Sequence, residues 1–216
     1  MAAPLPDVAR RLPVLAAGLL AIALSVAVGL LIGSRVGTPR DDSAEAGFAR
    51  DMATHHAQAA EMSFVVRDKS SDQDLRTLAS DIIVTQSAQR GIFMGWLQQW
   101  GLPQASARAR MAWMPGHAHM AGAADGAVLM HGMASDAELR SLGEANGVDA
   151  EIRFLQLMIR HHEGGIIMAR ALMARSDRRE LVQMAKSVEE GQLAEIAQMR
   201  NMLAARGAQP LASILD

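Results

Sequence analysis

The sequence contains no cysteine and no tyrosine, and only 3% of its 216 residues are aromatic. The absence of cysteine excludes disulfides, thiolate metal sites and cysteine nucleophiles. Because aromatic residues are few while 50% of residues are hydrophobic, the core must consist mainly of Ala, Leu, Ile, Val and Met. Ala, Leu and Met have high helix propensity. The composition therefore favours an all-α fold.

The sequence also lacks an excess of positive or negative charge. Its 21 Lys and Arg residues nearly balance its 23 Asp and Glu residues, and the formal net charge is −2. Proteins that bind nucleic acid normally carry a basic patch, whereas the basic residues here are scattered along the chain. We therefore expect no nucleic-acid partner. The sequence shows neither a pairing of nucleophile and base nor a phosphate-binding loop, so it predicts no catalytic residues.

No charged residue occurs between Leu12 and Ser34, and most of this stretch is apolar. About 20 such residues cross a bilayer as a helix, and the two arginines that precede the stretch favour a cytoplasmic N-terminus. We interpret residues 1–35 as a single-pass anchor in the cell membrane and residues 36–45 as a polar linker to an extracytoplasmic domain. A cleaved signal peptide, which would leave a secreted or periplasmic protein, is the alternative.

The remainder of the chain contains an internal repeat with an offset of 106 residues. When Phe48 is aligned with Phe154, 12 of the 54 positions up to Gly101 and Gly207 are identical without a gap. The identical positions include a His-His pair in each copy. Each copy has the pattern of a helical hairpin, with capping signals at the turn and a glycine suited to end the second helix. Two such hairpins predict a four-helix bundle.

These patterns divide the chain after the linker into four segments. The segments are a first hairpin (46–101), a connector rich in Met and His that includes a short helix (102–147), a second hairpin (148–207) and a C-terminal tail (208–216). The hairpin helices are predicted at about Ala46–Asp68, Asp72–Trp100, Ala150–Arg175 and Arg178–Arg206. A capping box that begins at Ser135 marks the start of the short helix in the connector.

Each His-His pair shares one helical face with methionines, because successive residues of an α-helix advance by about 100°. The faces comprise Met52, His55, His56 and Met62 in the first repeat, and Met158, His161, His162 and Met168 in the second. On the second helix of each repeat the facing groups are Gln86, Gln89 and Phe93, and Gln192, Glu195 and Met199. We expect all these faces to turn inward and to place the histidines, the methionines and an amide-rich layer in the core.

Imidazole and thioether side chains together are ligands for copper, since thioether sulfur suits Cu(I) and imidazole binds either oxidation state. Hard ions need oxygen ligands, and Glu163 and Glu195 are the nearby carboxylates predicted to reach inward. Di-iron bundles carry Glu-x-x-His, whereas Met stands three residues before His55 and His161. The sequence therefore predicts a copper ion, with another transition metal as the alternative. Binding should weaken near pH 6.5, where an ordinary imidazole becomes protonated.

The connector supplies a second group of candidate ligands. They are His117, His119, Met120, Met130, His131 and Met133. In an extended segment His117 and His119 point to the same side, which suits chelation of a metal ion. We predict auxiliary ligands here, and the alternative is a plain flexible linker.

The segments FARDMATHHAQAAEM and FLQLMIRHHEGGIIMA, each followed by a helix carrying Q-x-x-E/Q, resemble the two halves of domain-of-unknown-function family 305. The resemblance covers roughly Ala44 to Gly207 and implies a ferritin-like, extracytoplasmic bacterial protein. Copper binding and copper resistance by members of the family imply the same role here, with both M-x-x-H-H motifs, Met62 and Met168 as ligands. The first repeat departs from the family pattern at Gln89 and Phe93, which favours the second repeat with Glu195 and Met199.

Three functions are compatible with the sequence. The first is extracytoplasmic copper binding, as a Cu(I) buffer, relay or resistance protein. The second is a ferritin-like redox metalloenzyme with a copper or iron centre. The third is a metal-free helical interaction module, in which the His and Met side chains only pack in the core. The metal content of purified protein separates the third function from the others, and turnover of an oxidant separates the second from the first.

Overall fold

The computed structural model describes residues 16–29, 37–114 and 130–215, which form helices and no strand. Helix α1 covers residues 16–29. The other helices are α2 (Ala44–Lys69), α3 (Gln73–Gln99), α4 (Asp136–Glu144), α5 (Gly147–Met173) and α6 (Arg179–Ala205). The predicted all-α class is therefore confirmed, and the capping box predicted at Ser135 is present at the start of α4.

Helix α1 belongs to a unit of its own, Met1–Thr38, and the remaining helices form the unit Pro39–Asp216. Within the described part of the chain, no helix combines the length and the apolar character that a membrane span requires. The prediction of a membrane-spanning helix between Leu12 and Ser34 is therefore not confirmed. Both ends of the predicted span lie outside the described residues.

The second unit consists of two helical hairpins, α2 with α3 and α5 with α6, which pack against each other through α2 and α5. Two hydrogen bonds between the hairpins repeat the 106-residue offset. The hydroxyl of Ser70 donates to Glu151 over 2.6 Å, and the hydroxyl of Ser176 donates to Glu45 over 2.8 Å. Because Ser70 and Glu45 occupy the same repeat positions as Ser176 and Glu151, the two bonds are equivalent when the hairpins are exchanged. The hairpins are therefore related by a pseudo-twofold axis.

The core of this unit has two apolar clusters. Cluster 1 includes Leu75, Phe154 and Leu203 together with Met62, Met158 and Met199. Cluster 2 includes Phe48, Phe93 and Leu172 together with Met52 and Met168. On α2 the chain passes from cluster 2 to cluster 1 across the His-His pair, and on α5 it passes in the opposite direction. The four histidines therefore lie in a layer between the clusters, and we call them the histidine layer.

The described ends of the connector pack against α2. At its beginning, the buried carboxylate of Asp51 accepts hydrogen bonds from the Met111 N–H over 2.8 Å and from the Trp113 ring N–H over 2.9 Å. At its end, the Gln58 side chain accepts the N–H of Ala134 and donates to the carbonyl of the same residue. We call residues 130–134 the docking segment, because these bonds hold them on the bundle beside the histidine layer.

Candidate metal centre

All four histidines of the histidine layer are fully buried, and they meet where α2 packs on α5. The ring centroids of His55 and His161 lie 3.7 Å apart, with an angle of 31° between the rings. The centroid of His56 is 6.4 Å from that of His55, and the centroid of His162 is 6.3 Å from that of His161. The structure therefore brings the two His-His pairs together in the core.

Three of the four rings donate a hydrogen bond from Nε2. His55 donates to the backbone carbonyl of His131 over 3.0 Å, His56 to the Gln89 side-chain oxygen over 2.8 Å, and His162 to the Glu195 carboxylate over 2.6 Å. Carbonyl and carboxylate oxygens only accept hydrogen bonds, so Nε2 carries the proton in each neutral ring and Nδ1 carries a lone pair. A metal-ligating histidine characteristically anchors its second nitrogen in this way.

The other ring nitrogens of the layer lack partners. Among the described residues, neither the Nδ1 atoms of the four histidines nor Nε2 of His161 has a hydrogen-bond partner. A buried polar atom without a partner costs about 1–3 kcal/mol. Because each neutral ring carries its proton on one nitrogen, the four rings offer one nitrogen lone pair each, and these four donors fit a soft or borderline metal ion.

Burial also keeps these rings neutral. It lowers the pKa of His55 to about 3, and the neighbouring His56 ring lowers it further. Burial likewise lowers the pKa of His56 to about 3, and the pKa of His161 falls well below its usual value because of burial and the adjacent His55 ring. A ligand imidazole must be unprotonated, and these three rings already are at neutral pH.

The two repeats differ in the acceptor that anchors the outer histidine. In the first repeat His56 faces the neutral amide of Gln89, and in the second His162 faces the carboxylate of Glu195. A carboxylate acceptor makes the imidazole a stronger ligand than an amide does. This difference gives His162 the better-prepared Nδ1 lone pair.

The predicted methionine ligands are all fully buried, but they do not form one ring around the histidines. Met62, Met158 and Met199 lie in cluster 1, whereas Met52 and Met168 lie in cluster 2. In cluster 2 the place that corresponds to Met199 is taken by Phe93, whose ring packs edge-on against His56 at a centroid distance of 5.6 Å. Cluster 1 is therefore the side richer in thioethers.

In the part of the chain that the structure describes, no group of three or more His, Asp or Glu side chains is arranged to hold a metal ion. A centre in this layer therefore requires thioether ligands or a shift of the imidazoles on binding. Glu163, predicted to reach inward, is buried but accepts hydrogen bonds from Arg200, Ser213 and the Ile214 N–H. The carboxylate of Glu163 is therefore occupied by hydrogen bonds to α6 and the C-terminal tail.

The auxiliary ligands predicted in the connector are only partly described. His117, His119 and Met120 lie outside the described residues. His131 is buried and contributes its backbone carbonyl to His55, while Met133 is half-buried against cluster 2. The role of His131 as an anchor of His55 was not predicted from the sequence.

A glycine contact holds the docking segment against the layer. A Cβ atom on Gly164 would lie 1.9 Å from the carbonyl oxygen of His131, and one on Gly132 would lie 2.3 Å from the carbonyl oxygen of Arg160. Gly132 also has a φ of 74°, which glycine adopts without strain. The Gly-Gly pair in the middle of α5 is the feature of the sequence that indicates this close approach. Glycine inside a helix costs about 1 kcal/mol relative to alanine, so its presence there points to a packing requirement.

A narrow polar cleft lies between α3 and α6, and we call it the α3–α6 cleft. It is lined by Thr85, Gln86, Gln89, Ser187, Val188, Gly191, Gln192 and Glu195. The side chains of Gln86 and Gln192 are buried, and among the described residues neither amide has a hydrogen-bond partner. Gln89 and Glu195, which anchor His56 and His162, also line this cleft and are partly exposed.

Comparison with known proteins agrees with this arrangement. A family model described as a domain of unknown function, DUF305, matches residues 45–203. The chain belongs to the DUF305 family. The resemblance seen in the repeated M-x-x-H-H segments is thereby confirmed, and the matched residues include the whole histidine layer.

Solved structures of two DUF305 proteins and of CopM share the fold. A protein from Streptomyces coelicolor is 44% identical with a TM-score of 0.73, and the match covers 80% of this chain and 99% of that one. A fragment from Deinococcus radiodurans is 31% identical with a TM-score of 0.62, covering 75% and 96%. CopM in a Cu(II)-bound form is 27% identical with a TM-score of 0.54, covering 73% and 94%. No curated protein matches this DUF305 chain.

Proposed function

We propose that this DUF305 protein binds copper in its histidine layer and acts as a copper buffer, relay or resistance protein. The observation that carries the proposal is the set of buried ring nitrogens without partners, in a layer where three of the four rings anchor their opposite nitrogen. Core histidines that only pack would satisfy both nitrogens, since unpaired buried polar atoms are costly. The solved Cu(II)-bound form of CopM, a structural relative, supports copper as the metal.

The metal-site residues that we propose are those predicted from the sequence. They are Met52, His55, His56, Met62, Met158, His161, His162, Met168, Glu195 and Met199. Glu195 acts on the ion through His162, because its carboxylate accepts the Nε2–H of that ring. Thioether sulfur favours Cu(I) over harder ions, so we propose Cu(I) as the preferred form.

We place the stronger site on the side of the second repeat. There Met62, Met158 and Met199 share cluster 1, and His162 is anchored by a carboxylate. The first repeat offers the Gln89 amide and the Phe93 ring in the corresponding positions. We further propose that the two hairpins form a ferritin-like four-helix bundle and that this domain works outside the cytoplasmic membrane.

The test is a Cu(I) competition titration of the full-length protein and two double variants. His161→Ala with His162→Ala should remove more copper than His55→Ala with His56→Ala. Circular dichroism of each variant shows whether the helices persist. Unchanged stoichiometry and affinity in both variants would mean that the histidines are core residues without a metal function.

The auxiliary ligands have a test of their own. His117→Ala with His119→Ala should lower the copper capacity of the protein while the high-affinity stoichiometry and the unfolding midpoint stay unchanged. A capacity equal to that of the wild type would make this stretch a plain linker.

A further inference from the structure

Within the described residues, the histidine layer is enclosed on most sides. Apolar clusters 1 and 2 lie above and below it, and the docking segment covers the side where His55 meets the carbonyl of His131. An ion cannot cross apolar packing without losing its hydration, which is costly for a charged species. Among the described residues, the α3–α6 cleft offers a polar approach to the layer, because Gln89 and Glu195 line it.

The glutamines of this cleft are unusual for buried amides. Gln86 is 2% exposed and Gln192 is 4% exposed, and both the oxygen and the nitrogen of each amide lack a partner among the described residues. They occupy equivalent positions in the two repeats, 106 residues apart. The cavity between them has a volume of about 20 Å³, which holds about one water molecule. The side-chain oxygens of Gln86 and Gln192 are therefore available to a single water molecule or ion in this cavity.

We propose that the α3–α6 cleft is the passage by which a copper ion enters and leaves the histidine layer, with the side-chain oxygens of Gln86 and Gln192 as transient ligands. This inference rests on the proposed copper function and adds a route to it. The cleft is too narrow for a hydrated ion, so the amide oxygens replace water as the ion passes. The Glu195 carboxylate, which also lines the cleft, attracts the cation towards His162, to which it is hydrogen-bonded.

Gly191 gives a way to close the passage without disturbing the fold. It lines the cleft on α6, and an added Cβ would meet no atom within 4 Å. Gly91 is the matched control, because it is a helical glycine of α3 with the same open surroundings but does not line the cleft. Both substitutions to leucine improve helix propensity by a similar amount, so a difference between them reports the position in the cleft.

The experiment measures copper exchange in the full-length protein. Cu(I) association and Cu(I) release to a chromophoric chelator are followed by stopped-flow absorbance for the wild type, Gly191→Leu and Gly91→Leu. We expect Gly191→Leu to slow association and release alike, by about tenfold or more, since a narrower passage raises the barrier without changing either end state. The dissociation constant should stay within about twofold, and Gly91→Leu should match the wild type in all three quantities.

Two further measurements keep the inference falsifiable. Gln192→Leu, which removes both amide donor atoms and adds no thioether, should also slow both rates. In the metal-free protein, deuterium exchange at the ring carbon between the two nitrogens of His56 and His162 should be slower in Gly191→Leu than in Gly91→Leu. This second readout does not depend on copper.

The outcomes separate the route from the function. Wild-type rates and wild-type ring exchange in Gly191→Leu would overturn the passage while leaving copper binding intact. A slower association with unchanged release, and hence a weaker affinity, would overturn it as well, because the cleft would then be part of the binding site. A wild-type protein that binds no Cu(I) at equilibrium would refute the proposed function itself.

Discussion

Replacement of Gly164 by alanine should destabilise this protein, although alanine is the better helix former. Gly164 lies in the interior of α5, where a Cβ would stand 1.9 Å from the carbonyl oxygen of His131, 2.4 Å from its carbonyl carbon and 2.8 Å from the amide nitrogen of Gly132. All three are backbone atoms, so no side-chain rotation can relieve the contact. The docking segment must move away from α5.

The magnitude follows from what that movement breaks. The gain in helix propensity from glycine to alanine is about 1 kcal/mol. Against it stand the hydrogen bond from His55 to the carbonyl of His131 and the two bonds between Gln58 and Ala134. Each is worth about 0.5–1.5 kcal/mol, and overpacking adds about 1–3 kcal/mol. If the docking segment loses all three bonds, we expect a net loss of about 2–6 kcal/mol in the free energy of unfolding.

Urea unfolding followed by far-UV circular dichroism measures this loss in the metal-free protein at pH 7.5. The matched control is Gly191→Ala, since Gly191 is also a helical glycine and an added Cβ there meets nothing within 4 Å. That variant should gain about 1 kcal/mol from helix propensity alone. A Gly164→Ala protein as stable as Gly191→Ala would refute the close approach of the docking segment to α5.

Two further predictions concern pH and the anchoring residues. The free energy of unfolding of the metal-free protein should fall as pH drops from about 6.5 towards 3, because burial lowers the pKa of His55, His56 and His161 in the folded state and the unfolded chain binds the additional protons. Each ring contributes at most about 1.4 kcal/mol per pH unit, and urea unfolding with the same midpoint at pH 7.5 and pH 5 would contradict this. Glu195→Gln should weaken Cu(I) affinity by about tenfold to a hundredfold, and Gln89→Glu should strengthen it, because a carboxylate acceptor makes a better ligand of the histidine it anchors. If the wild type and both variants had equal Cu(I) affinities in a chelator competition, this effect would be excluded. Glu189→Gln on the same helix is the control, since Glu189 pairs with Arg170 at the surface.

The same pKa shifts alter one expectation from the sequence. With an ordinary imidazole pKa, copper binding would weaken near pH 6.5. Because the pKa of His55 and His56 is lowered to about 3 in the folded protein, protonation does not compete for these rings until much lower pH. Loss of copper on acidification should therefore follow unfolding of the protein.

The burial of the two His-His pairs could be predicted from the sequence, because a gapless repeat and a helical face require only local periodicity. The hydrogen-bond partners of those histidines could not be predicted, because they come from residues far away in the sequence and produce no periodic pattern. The carbonyl that anchors His55 belongs to a residue 76 positions away, and Ser176 reaches Glu45 across 131 positions. The hydrogen-bond partners of Glu163 could not be predicted for the same reason, since they lie on α6 and in the C-terminal tail.

The docking segment also has a kinetic consequence. It is held on the bundle by a few hydrogen bonds and two glycine contacts, whereas each hairpin is held by the full length of its two helices. Such a short stretch can detach in a local opening that costs much less free energy than global unfolding. The lifetime of the contact between His55 and the His131 carbonyl is therefore set by the residence time of residues 130–134, and hydrogen exchange of the Ala134 amide should report it.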